Sequence, residues 1–150
     1  MGFAKAKFRL IGDRSSTEGF ALVDSGAWYT VVDEELAKHI GVRYTGLIIT
    51  LTSFSGHRIA CREAVINSVV IEGRTAPFEL IAVCSIPETV KELLRRQDVK
   101  EQLVVGVHTL ERLGYAIDVA THKLIESPGI LIYLVEDSVR MIIISQRKSS

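Results

Sequence analysis

Asp24, Ser25 and Gly26 follow the apolar run Ala21-Leu22-Val23 and lead into the small Ala27. A carboxylate that closes a buried β-run sits in poor solvent, where its charged form is disfavoured. Gly26 permits a tight turn that a residue with a Cβ resists, and Ala27 keeps the space beside the carboxylate small. Such a loop presents one rigid, perturbable carboxylate, the kind of group that activates a water by general acid–base chemistry. Aspartate, serine and glycine also favour any turn, so the surroundings of the tripeptide decide its meaning.

The other residues capable of chemistry form no comparable constellation. His39, His57, His108 and His122 lack metal-ligand spacing, and no serine sits in a nucleophile elbow. Cys61 and Cys84 match no zinc pattern. Each lies in an apolar, strand-like segment and reads as a small buried hydrophobe, with a disulfide between them as the alternative. No metal and no cofactor are expected.

The elements around the loop are mostly strands. Phe3 to Ile11 alternates loosely, Asp13 to Ser16 supplies turn chemistry, and Gly19 to Val23 is the strand entering the Asp24 loop. Tyr29 to Val32 is a strand, and Asp33 to Gly41 reads as a short helix with acidic residues first, Lys38 and His39 last, and a glycine stop. Leu47 to Thr52 and His57 to Val65 form a hairpin whose exposed tip is Ser53-Phe54-Ser55-Gly56. Val69 to Ile71 and Phe78 to Val83 are further strands, and Pro87 to Gln97 has helical spacing. Leu103 to Val105 is a short strand ended by Gly106, Thr109 to Leu113 a helix, and Tyr115 to Ile125 a hairpin. Two apolar runs close the chain, Ile130 to Val135 and Met141 to Ile144. The expected class is all-β with short helices.

Taken together, these features resemble the retropepsin-like aspartic proteases. Asp24-Ser25-Gly26-Ala27 is followed by Trp28 and Tyr29, then Thr30 and the apolar Val31-Val32, the spacing of that family's active-site loop. A glycine-tipped hairpin stands where the family carries its flap. Val104-Val105-Gly106, with Leu110 and Leu113-Gly114, matches its apolar-apolar-Gly strand and C-terminal helix. The likeness covers roughly residues 18 to 118. It implies a closed retropepsin-like β-barrel with Asp24 catalytic, Ser25 bracing the loop, and Phe54, Ser55 and Gly56 covering substrate as the flap tip, while Trp28 reads equally as lining a substrate pocket or packing at the dimer contact. The chain departs from viral members in four respects: Ser25 replaces the commoner threonine, Trp28 and Tyr29 replace a polar pair, His108 stands where asparagine or aspartate is frequent, and the C-terminal runs are additional.

Peptide hydrolysis by this chemistry needs two carboxyls, and the chain has one Asp-Ser/Thr-Gly; Asp33, Asp118 and Asp137 lack the following pair. The expectation is therefore a C2 homodimer whose two Asp24 residues meet on the axis, acting as an endopeptidase on extended polypeptide. A catalytically silent peptide-binding or dimerisation module of the same fold is the rival, and a processing domain with one dedicated substrate a third reading.

With 150 residues, 47% hydrophobic and 24% charged, the composition is that of an ordinary globular domain able to bury its own core. One domain, 1–150, is expected, with an apolar hairpin extension at about 129–145. Eighteen basic residues balance eighteen acidic ones, which leaves no electrostatic footprint for nucleic acid. No run is long and apolar enough to span a bilayer. Residues 1–6 lack a signal-peptide core and a myristoylation pattern, so a cytoplasmic location is expected.

Overall fold

The computed structural model describes residues 2–52 and 56–127, together with the backbone of residues 129–135 and 138–144. Strand β1 (Phe3–Ile11) turns back into β2 (Ser16–Asp24), with Phe3 opposite Asp24 and Ile11 opposite Ser16. Along β1 the buried Ala4, Ala6, Phe8 and Leu10 alternate with exposed Lys5, Lys7 and Arg9, the period-two pattern of a strand with one face in a core.

After β2 come β3 (Thr30–Asp33), helix α1 (Glu34–Ile40), β4 (Arg43–Thr52), β5 (Arg58–Ile71) and β6 (Arg74–Cys84). Helix α2 (Glu88–Arg96), β7 (Leu103–Val105) and α3 (Val107–Leu113) follow, then the hairpin of β8 (Tyr115–Asp118) and β9 (Lys123–Glu126). The strands β1-β2-β7-β3-β6-β5 are paired in that order, and β5 returns to pair with β1 through Phe8 opposite Ile71. The ring is a closed six-stranded barrel, with β4 added outside β5 as the seventh strand of the sheet. The closed barrel expected from the sequence is therefore present. Its core holds Leu10, Ile66, Ile81 and Leu103, all fully buried. Each such side chain stabilises the fold by roughly 1.5–3 kcal/mol.

Asp33 caps α1 by accepting the Glu35 N–H at 3.3 Å, and the Gly41 N–H closes the helix on the Ala37 carbonyl. These are the start and stop read from the sequence. The segments read as separate strands at 57–65 and 69–71 are one continuous strand, β5. It runs past Asn67 and Ser68 because it pairs with β4 at its beginning, with β6 along most of its length, and with β1 at its end.

The two cysteines are corrected here. Cys61 and Cys84 form a disulfide, with Cα atoms 4.6 Å apart, rather than lying as separate buried hydrophobes. Both are buried, but the bond follows from strand register. Arg62 pairs with Val83 across β5 and β6, so the next step brings Cys61 and Cys84 opposite each other at a separation normal for an antiparallel pair. The last two runs pair antiparallel as β10 (Gly129–Val135) and β11 (Ser138–Ile144), a two-stranded sheet of their own. No helix among the described residues is long and apolar enough to cross a membrane.

Candidate active site

Strand β2 runs parallel to β7, with Leu22 beside Val104 and Val23 beside Val105, and Asp24 is the residue at which β2 ends. The residue is only 7% exposed. One carboxylate oxygen accepts the Gly26 N–H at 2.8 Å, and its carbonyl accepts the Ala27 N–H at 3.1 Å. The loop thus fixes the carboxylate through its own backbone. Ser25 is engaged by the N-terminal residues of the same chain. Its hydroxyl donates to the Gly2 carbonyl at 3.0 Å and accepts the Gly2 N–H at 3.0 Å, while its own N–H also donates to that carbonyl.

Beneath the loop lies α3. The Val107 N–H donates to the Ala27 carbonyl at 2.7 Å and the His108 N–H to the Trp28 carbonyl at 3.2 Å. Gly106 lies so close to the backbone of Tyr29 and Trp28 that a Cβ there would overlap the Tyr29 carbonyl, which is why the strand must end in glycine. Its N–H donates to the Thr30 hydroxyl at 3.1 Å, and that hydroxyl shares a 2.7 Å hydrogen bond with the Thr109 hydroxyl. Both threonines are buried, so every polar group of this floor has a partner, as burial demands.

Above the floor opens a cleft of about 770 Å³. Asp24, Gly26, Ala27 and Trp28 line its base, Ile49, Leu51 and Ile59 its hairpin side, and Cys84, Ile86 and Pro87 its far edge. Asp24 is the only carboxylate among the described residues lining it. Trp28 is 70% exposed, with its ring centroid 5.5 Å from that of His108. Chemically the cleft offers one constrained carboxylate in an apolar trough. Among the described residues no three His, Cys, Asp or Glu side chains gather to hold a metal.

Of the residues expected at a site, Asp24, Gly26, Ala27 and Trp28 line this cleft, and Ser25 lies behind it against Gly2. Gly56 is exposed with φ +83 and does not line it; Phe54 and Ser55 lie outside the described residues. Two polar residues that shape the cleft were not singled out from the sequence. Asp33, besides capping α1, accepts the Ile86 N–H at 3.0 Å and pairs with Lys91 Nζ at 3.4 Å, which fixes the edge formed by Ile86 and Pro87. Glu63, buried on β5, accepts the Tyr29 hydroxyl at 2.8 Å and the Thr45 hydroxyl at 3.0 Å. That hydrogen bond first, then burial and the carboxylate charge, raises the Tyr29 pKa above the ordinary tyrosine value. A signal for Glu63 existed: it continues the alternation Ile59, Cys61, Glu63 on the cleft side of β5, where a buried charge needs partners, opposite the face that carries Ala64 and Ile66 into the barrel core.

No protein-family profile matches the chain, and no curated protein matches it. Solved structures do. The protease of EIAV, complexed with the inhibitor HBY-793, superposes with a TM-score of 0.51 at 16% identity, over 75% of this chain and 90% of that one. A retropepsin-like aspartic protease from Rickettsia conorii gives 0.46 at 17% identity, over 78% and 85% of the two chains. At such identity the first of these is a statement about fold: the chain has the retropepsin-like fold.

Proposed function

We propose that this chain is an aspartic endopeptidase that works as a C2 homodimer, with Asp24 of each copy at a shared centre. One observation carries the reading. A nearly buried residue, its carboxylate held by its own loop backbone, faces an apolar cleft of about 770 Å³ and finds no second carboxylate there among the described residues. A second copy supplies the missing group. Two carboxyls about 3 Å apart cannot both ionise and share a proton. The ionised Asp24 takes a proton from a water, whose oxygen attacks the peptide carbonyl carbon. The protonated Asp24 of the other copy gives its proton to the carbonyl oxygen, and collapse of the tetrahedral species releases the amine after protonation. Apolar walls bind side chains of the substrate, while an extended strand pairs its backbone with the cleft rims.

In this reading the Ser25 hydroxyls brace the two loops across the dimer axis, exchanging their bonds to Gly2 for bonds to the other copy. The apolar strands β10 and β11, an extension of the single 1–150 domain, pack beside the subunit contact. Asp24→Asn keeps the shape and removes the titrating group, so hydrolysis of an unfolded protein near pH 5 should stop while the fold and the dimer persist. Undiminished cleavage by that variant would remove Asp24 from the mechanism.

One observation favours the rival reading of a silent peptide-binding module: the Ser25 hydroxyl is satisfied within its own chain and needs no second copy. Wild-type protein that binds an extended peptide but remains monomeric and cleaves nothing would establish that reading instead.

A further inference from the structure

Past Arg62 and Val83 the ladder between β5 and β6 ends. From Ile48 to Thr52 and Arg58 to Arg62, β4 and β5 pair with each other, and this part of the hairpin forms the cleft wall with Ile49, Leu51 and Ile59. Two ties hold its base. One is the Glu63 carboxylate, which joins Thr45 of β4 to Tyr29 of the floor. The Thr45 hydroxyl also accepts the Leu47 N–H at 3.2 Å, at the bulge where Gly46 adopts φ +93 and the β4–β5 register shifts. The other tie is the disulfide. Cys61 is paired with Ile49 in β4, and Cys84 with Asp33 in β3, the residue that also fixes Ile86. The bond therefore connects the hairpin to the barrel and, through Asp33, to the segment that carries Ile86.

We propose that the Cys61–Cys84 disulfide is a positioning element of the cleft, and that its reduction by a dithiol loosens the β4–β5 wall and weakens peptide binding. This rests on the peptidase reading for its consequence, though not for its mechanics. Cys84 borders the cleft but is only 2% exposed, so a thiolate of the reductant reaches its sulfur from the cleft when the wall opens locally. Attack there breaks the Cys61–Cys84 bond and forms a mixed disulfide with Cys84 Sγ, while Cys61 leaves as thiolate and takes a proton. The second thiol of the reductant then attacks its own sulfur in the mixed disulfide and releases Cys84, which is protonated in turn. Two electrons and two protons pass to the protein, and the reductant ends as a cyclic disulfide. Afterwards the wall keeps the Glu63 tie and the packing of Ile49, Leu51 and Ile59 beside Tyr29 and Val31. A reducing cytoplasm holds such pairs open, and an oxidising compartment holds them closed, so the state of the wall follows the surroundings of the protein.

The test compares oxidised protein, protein treated with dithiothreitol, and the C61A/C84A variant, which reaches the open state without reductant. Free-thiol titration should find two thiols after treatment of the folded protein. Amide exchange at Ile48–Leu51 and Ile59–Cys61 should quicken by about tenfold on reduction, with β1 and β2 altered by less than about twofold. The KM for an extended peptide should rise by roughly fivefold with kcat nearly unchanged, the pattern of lost substrate binding rather than lost chemistry. Adding Glu63→Gln to the reduced protein should quicken wall exchange further. Two titrated thiols with unchanged wall exchange would overturn the proposal, as would a disulfide that resists the dithiol until the protein unfolds. Hydrolysis absent in both redox states would refute the peptidase reading and leave exchange to decide the clamp.

Discussion

The floor under Asp24 and the hairpin wall beside it face the same cleft and are built by opposite means. In the floor, Gly106 packs against the Tyr29 carbonyl with no room for a methyl group, and Thr30, Thr109 and the Gly106 N–H close a buried hydrogen-bond set. The wall exposes Leu47 and Ile48 and depends on a disulfide and one carboxylate at its base. A close-packed floor with every donor satisfied has no alternative arrangement at low cost. A wall held by discrete ties can change when one tie changes. The contrast assigns precision to the carboxylate and adjustability to the surface that would meet substrate side chains.

The sharpest way to break the contrast is Gly106→Ala. Its Cβ would collide with backbone rather than with a mobile side chain, so urea unfolding should show a loss of about 3 kcal/mol or more. A loss below 1 kcal/mol, on the order of ordinary surface changes, would mean that the floor yields as the wall does. Thr30→Val comes next. It strands the Gly106 N–H and the Thr109 hydroxyl in a dry site, at about 2 kcal/mol by the same measurement. Tyr29→Phe removes one bond to Glu63 while the Thr45 bond remains, and should cost only about 1 kcal/mol. Its larger signature should be faster amide exchange at the hairpin base.

The smallest effect is one of pH. The Tyr29 pKa is raised in the folded protein, first by its hydrogen bond to Glu63. A raised folded value means that the associated stability is fully present below the unfolded tyrosine value and is lost as pH rises through the folded one. The unfolding difference between wild type and Tyr29→Phe should therefore stay level through neutral pH and shrink only in alkali. Phenolate absorbance from Tyr29 should appear at higher pH than in the unfolded chain, and Glu63→Gln should move its onset back down. An onset that ignores Glu63→Gln would show that burial alone protects the hydroxyl.

Local patterns announced much of this molecule. Asp33 and Gly41 bounded α1 because capping and helix-stopping are properties of a residue and its near neighbours. The alternation of Ala4, Ala6, Phe8 and Leu10 located the inner face of β1 for the same reason. The run into Asp24-Ser25-Gly26-Ala27 identified the carboxylate that the structure places at the base of the cleft. Less was legible at residues 66–68, between two segments read as separate strands, yet β5 continues through them, with Ile66 opposite Glu79 and Ser68 opposite both Pro77 of β6 and Ile11 of β1.

By itself the amino-acid sequence determined the strand-rich class, the short helices, and the loop that presents Asp24. These depend on side-chain shape, backbone freedom and periodicity within a few residues. Tertiary structure alone decided that Cys61 meets Cys84 across 23 positions of sequence, that Glu63 joins Tyr29 to Thr45, that Asp33 holds Ile86, and that Gly2 occupies the Ser25 hydroxyl. Each is a contact between elements, set by strand register and barrel closure. A one-residue slip in register would turn Cys61 and Glu63 away from the cleft, and the sequence within either strand carries no record of what stands opposite.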